Sequence, residues 1–137
     1  MAIIQTSVDI SYIYKNFSLL KIWIKNVIEL EKFLPGDISI IFTSDEYLLS
    51  LNRNFLKKDY LTDIITFNYN DGRIISGDLF ISIDRVKDNS ISYKQKFNFE
   101  LDRVILHGIL HLIGYNDNTD EEIDEMRSKE SFYLKSK

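Results

Sequence analysis

Cysteine is absent from this 137-residue chain. That excludes a disulfide framework, a thiolate metal site and a cysteine nucleophile. It also fits a reducing compartment, so a cytoplasmic protein is the expectation. Proline occurs once and glycine five times, at scattered positions. No proline-rich linker and no glycine-rich phosphate loop can be built from them. Long apolar runs are missing too, which argues against a membrane span. Met1 to Ile13 has no basic flank, continuous apolar core or small-residue cleavage site, so no signal peptide is expected. Positive charge is short: 17 Lys and Arg stand against 21 Asp and Glu, a net of −4. Taken alone, this speaks against a nucleic-acid partner. The distribution softens that reading. Residues 51–115 carry nine basic and eight acidic groups, whereas 116–130 carry two and seven. Most of the negative excess therefore sits in one late segment, and a local basic face is possible.

What remains is ordinary for a globular chain, with 45% hydrophobic and 28% charged residues. The length suits one domain, residues 1–137. Residues 2–10 include a β-prone run. From Phe17 to Phe33, Leu20, Trp23, Ile24, Val27, Ile28 and Leu30 recur at helical spacing, and Pro35-Gly36 should end that helix. A strand is expected over 37–42. A helix capped by Thr43, Ser44 or Asp45 should follow and run to about Lys58. Strands over 63–69 and 77–83 flank a turn at Asn70-Asp71-Gly72. Helices are expected over about 84–93, 99–113 and 119–134, the middle one broadly apolar and therefore buried. Gly114 suits the end of that helix. The fold class is α+β, a mixed sheet of roughly four strands flanked by helices.

The two histidines, His107 and His111, are four apart on the apolar helix. Residues i and i+4 share a helix face, so both imidazoles can reach one ion. The plain alternative is a pair of core histidines satisfied by buried partners. Gly108 between them gives either access to an ion or close helix packing. A third ligand is needed. Asp117 lies just beyond the turn at Gly114, with Asp120 and Asn118 as rivals by distance; the plain alternative is a turn residue. Two histidines and a carboxylate leave a fourth position for water, a catalytic arrangement. Glutamate does not follow His107, so the general base of helical zinc peptidases is missing.

The run His107-Gly-Ile-Leu-His111-Leu-Ile-Gly114-Tyr115-Asn-Asp117 resembles the histidine motif of the YbeY family of rRNA-maturation endoribonucleases, HGxLHLxGYDH. Leu51-Asn52 through Asp59, then Thr62 to Phe67, resembles that family's LNxxYRxxDxPTDVLSF, and Gly77 to Ser82 its GDIxIS strand. The resemblance implies a mixed sheet with a buried, zincin-like metal helix. It implies a cytoplasmic, metal-dependent, single-strand-specific endoribonuclease acting on the 3′ end of small-subunit ribosomal RNA, with the small ribosomal subunit as partner. His107, His111 and Asp117 would be the metal ligands and Zn2+ the ion. Two departures stand out. Asp117 replaces a family histidine, which shifts preference toward harder divalent ions. Leu56 replaces the family arginine, and a leucine cannot stabilise a phosphorane. On a continuous helix, Arg53 is better placed to substitute than Lys57 or Lys58. The alternatives are a metal-stabilised assembly factor without catalysis and a metal-dependent hydrolase of another substrate.

Overall fold

The computed structural model describes residues 2–137. Four strands form one sheet: β1 (Ile3–Ser7), β2 (Leu34–Thr43), β3 (Ile64–Asn68) and β4 (Ile74–Ser82). Five helices accompany them: α1 (Phe17–Leu30), α2 (Asp45–Leu51), α3 (Ile83–Ser92), α4 (Phe97–Ile113) and α5 (Asp120–Lys135). The sheet order is β1-β2-β4-β3. The pairings of β1 with β2 and of β2 with β4 are parallel, and β3 runs antiparallel to β4. This is the mixed α+β architecture expected from the sequence.

Alternation on β4 sets the faces. Ile75, Gly77, Leu79 and Ile81 are buried on the side that receives α4. Phe80 lies on the other face, in a row of rings running Tyr47–Phe80–Phe67–Phe55 with centroids 5.7–6.3 Å apart. The core joins Leu20, Trp23, Ile24, Val27 and Ile28 of α1 to the sheet and to Leu101, Val104, Ile105, Ile109 and Leu112 of α4. Each fully buried Leu or Ile contributes about 2 kcal/mol.

Three boundaries differ from expectation. Pro35 and Gly36 lie inside β2 rather than ending α1. The helix stops earlier, at Leu30, with Lys32 at φ 70°. Pro35 pairs with Ile75 on β4, while β1 joins β2 only from Ile38 onward. Its missing N–H thus falls on an edge-like stretch, where proline is tolerated. The β4 strand starts at Ile74 rather than Gly77, because Asp71 and Ile74 bridge the tight turn around Gly72. The third difference matters for function. The α2 helix does not continue to Lys58: residues Asn52–Leu56 form a π-helical turn, and Lys57 takes a left-handed φ of 57°.

The α5 helix begins with a capping box, Thr119 and Glu122 each bonding the other's backbone. Glu31, at the end of α1, ties α5 down. Its carboxylate accepts from Tyr115, Tyr133 and the Lys129 ammonium. Burial pushes Glu31 up, but these three donors outweigh it and hold its pKa below the ordinary value. A depressed carboxylate stabilises the fold above its unfolded pKa of about 4.3 and loses that contribution as pH falls through the folded value. Thermal midpoints measured against pH should therefore drop below roughly pH 4. Glu31→Gln should lower the midpoint at pH 7 and flatten the acid limb.

Candidate metal centre and active-site pocket

Helix α4 reaches the sheet closely because Gly108 has no side chain. A Cβ there would stand 2.6 Å from Ile64 Cδ1 and 3.0 Å from Leu79 Cδ2. Gly108 is thus a packing glycine, and its role in placing the histidines is indirect. It draws the helix face bearing His107 and His111 against the end of β3. At the helix end Gly114 adopts φ 127°, a backbone conformation that favours glycine. The amides of Gly114 and Tyr115 bond the Leu110 carbonyl at 3.1 and 3.0 Å. The chain folds back and Asp117 returns over the two rings.

The three side chains meet. His107 Nε2 and His111 Nε2 are 3.0 Å apart. Asp117 Oδ2 lies 3.3 Å from the first and 3.5 Å from the second. Donors about 2.1 Å from an ion at tetrahedral angles stand about 3.4 Å from one another. The triangle has that size, and the donor set suits a divalent ion. His107, His111 and Asp117 could therefore hold a metal, and they form the one such group of three found among the described residues. Asp120 instead opens α5, and the Asn118 amide bonds Glu122.

Behind His107 stands a residue that sequence reading missed. Glu130 of α5 is buried and its Oε2 lies 2.6 Å from His107 Nδ1. This contact fixes the ring so that Nε2 faces Asp117 and His111. Arg103, one turn before His107, bonds Glu100 at 2.7 Å and reaches Glu130 at 3.5 Å and Asp63 at 3.8 Å. Burial pulls His107 down, but Glu130, Asp117 and Asp63 outweigh it and raise its pKa. His111 is lowered by burial and by its neighbour His107. The only sequence signal for Glu130 was its position one helix away in an acidic run, indistinguishable from a solvated face.

The triangle opens into a cavity of about 290 Å³ lined by Asn52, Leu56, Lys58, Tyr60, Thr62, Asp63, Ile64 to Thr66, His107, His111 and Asp117. Leu56 occupies the wall, as its place in the motif implies. Lys58, not Arg53, is the cation there. Arg53 is pinned at the surface by Asp59, 2.5 Å away. The reason is the π-helical turn: the backbone leaves the helix at Leu56, so the angles of a continuous helix no longer apply. Asn52 holds the departing segment. Its carbonyl accepts from the Lys58 amide at 3.0 Å, and its Nδ2 donates to the Tyr60 carbonyl at 2.8 Å. Asp63 is a second carboxylate on the wall. Burial raises its pKa, against the charges of Arg103 and His107.

The fold and site define an α+β protein in which two histidines of a buried helix and a carboxylate from the loop after it could hold a cation. A family model described as Endoribonuclease YbeY matches residues 5–137. Among curated relatives, the Endoribonuclease YbeY of Parabacteroides distasonis is 51% identical over 109 residues, covering 80% of this chain and 77% of the relative. That of Azobacteroides pseudotrichonymphae is 44% identical over 131 residues, covering 96% and 94%. The solution structure of TM1509 from Thermotoga maritima superposes with a TM-score of 0.68 at 28% identity, covering 98% of this chain and 87% of that one. The chain belongs to the endoribonuclease YbeY family. No helix among the described residues is long and apolar enough to cross a membrane.

Proposed function

We propose that residues 1–137 act as one metal-dependent endoribonuclease domain that cleaves single-stranded RNA, with the 3′ end of small-subunit ribosomal RNA as substrate and the cytoplasm as its place of action. His107, His111 and Asp117 are the ligands, and one Zn2+ is the ion, with another divalent metal as the alternative that the aspartate admits. The observation that carries the reading is the ligand triangle at the floor of an open pocket. The names of the relatives supply the reaction class.

A divalent ion held by these donors supplies a Lewis acid for a phosphoryl oxygen and lowers the pKa of water. The chain's own residues do the rest. Glu130 keeps His107 oriented. The Lys58 ammonium faces the charge of a phosphodiester in the pocket, the role Leu56 cannot fill. Asp63, raised by burial, suits a proton acceptor on the wall.

Elemental analysis of the purified chain, followed by cleavage assays, tests this. About one equivalent of zinc or another divalent metal is expected. Chelation should abolish cleavage of a single-stranded RNA and added metal should restore it, while the matching duplex stays intact. A metal-loaded chain that cleaves no RNA would replace the enzyme reading with that of a metal-stabilised assembly factor, the alternative Leu56 favours. Absence of metal would overturn the centre itself.

A further inference from the structure

The segment after the π-helical turn combines features that the ligand triangle does not use. Tyr60 lines the metal pocket yet is 54% exposed. Lys58 is the one lysine or arginine among the described residues lining that pocket. Its Nζ lies 5.8 Å from the centre of the Tyr60 ring. Neither side chain contributes to the core. Both are nonetheless held in place, because buried Asn52 bonds the backbone at Lys58 and again at Tyr60. An exposed aromatic ring beside an ammonium, on an anchored backbone at the mouth of a cation site, is the arrangement that single-stranded nucleic acid recognises. Every base has a face to stack, and each phosphate seeks a cation. On the segment itself Arg53 and Asp59 pair with each other, 2.5 Å apart, and Lys57 adds a positive charge beside Lys58, while Asp63 and Asp117 are the acids of the pocket wall.

Resting on the reading of this pocket as an RNA site, we propose that Tyr60 is a specificity-determining residue: its ring stacks on an unpaired base next to the scissile phosphate, and Lys58 contacts the phosphate between them. A base inside a duplex cannot offer its face to Tyr60, so the contact selects unpaired RNA.

The test uses a short single-stranded RNA carrying 2-aminopurine, whose fluorescence falls on stacking, with chelator present so that binding is read without cleavage. Wild type and Tyr60→Phe should quench it alike. Tyr60→Ala should lose the quench and bind about 5- to 100-fold more weakly, with an unchanged thermal midpoint. Lys58→Gln should reduce the slope of log K against log salt by about 0.7, the release of one phosphate counterion from a single strand. The matching duplex should bind wild type and Tyr60→Ala equally poorly. Equal binding and equal quenching by wild type and Tyr60→Ala would overturn the proposal, as would a rim that docks a protein and ignores RNA. Tyr60-dependent binding without any cleavage in metal would leave this inference standing and sink the nuclease reading instead.

Discussion

Replacing Glu130 with glutamine should cost the centre 10- to 100-fold in metal affinity while His107, His111 and Asp117 remain in place. Glutamine keeps the shape of the side chain but loses the charge that faces His107 Nδ1 at 2.6 Å. The imidazole then has a weaker partner fixing its tautomer, and Nε2 becomes a poorer donor to an ion. Glu130→Ala should do more. It leaves His107 without its buried counter-charge and takes one of three carboxylates from Arg103, at a cost of about 3 kcal/mol. Competition titration against a chromophoric zinc chelator gives the affinities, and denaturant unfolding gives the stability. The discriminating outcome lies in the glutamine variant. A folded Glu130→Gln chain that holds metal as tightly as wild type would show that Glu130 serves packing between α4 and α5 alone.

Glu130 also shows where sequence reading stopped. The grouping of His107, His111 and Asp117 was legible because its parts are local. Two histidines at i and i+4, a glycine that ends the helix, and a carboxylate three residues later all follow from helix geometry. The elements were legible for the same reason, since apolar spacing in α1 and α4 reports the face each one buries. Glu130 joins the site across 23 residues through α5, and Glu31 reaches Tyr115 from 84 residues away. Neither carboxylate has a periodicity that separates it from a solvated acid. The Arg53 expectation failed for a different reason. It assumed a continuous helix to Lys58, whereas a π-helical turn and the left-handed Lys57 re-aim the chain. No composition signal marks such a turn. Pro35 misled in the same way: a proline reads as a break unless the strand's outer side is known to be unpaired.

Gly77→Ala should be the most damaging glycine substitution near the site, and Gly108→Ala a mild one, although both glycines sit where α4 meets the sheet. At Gly77 the added methyl would collide with the Phe67 carbonyl oxygen and stand 2.9 Å from Leu112 Cδ2. The carbonyl belongs to β3, which pairs residue by residue with β4. It cannot retreat without opening that ladder, whereas the Leu112 methyls are side-chain ends that can turn aside. Overpacking of this kind costs about 3 kcal/mol at the upper end of its range. For a chain of this length that lowers the thermal midpoint by roughly 10 °C. At Gly108 the obstructing atoms are the far ends of Ile64 and Leu79, which can turn aside. Alanine also gains about 1 kcal/mol of helix propensity over glycine. The two effects largely offset, leaving a loss of about 1 kcal/mol. Metal binding should respond in the opposite order. Gly108→Ala displaces the Ile64 side chain, which lines the pocket beside His107 and His111, so its affinity should fall by more than its stability suggests. Gly77→Ala, where it folds, leaves that part of the pocket intact. Calorimetry on both variants, paired with the chelator competition, separates the two effects. Equal stability losses would mean that the β3 ladder yields as freely as a side chain, and an unchanged metal affinity in Gly108→Ala would mean that the histidines are not held by this contact.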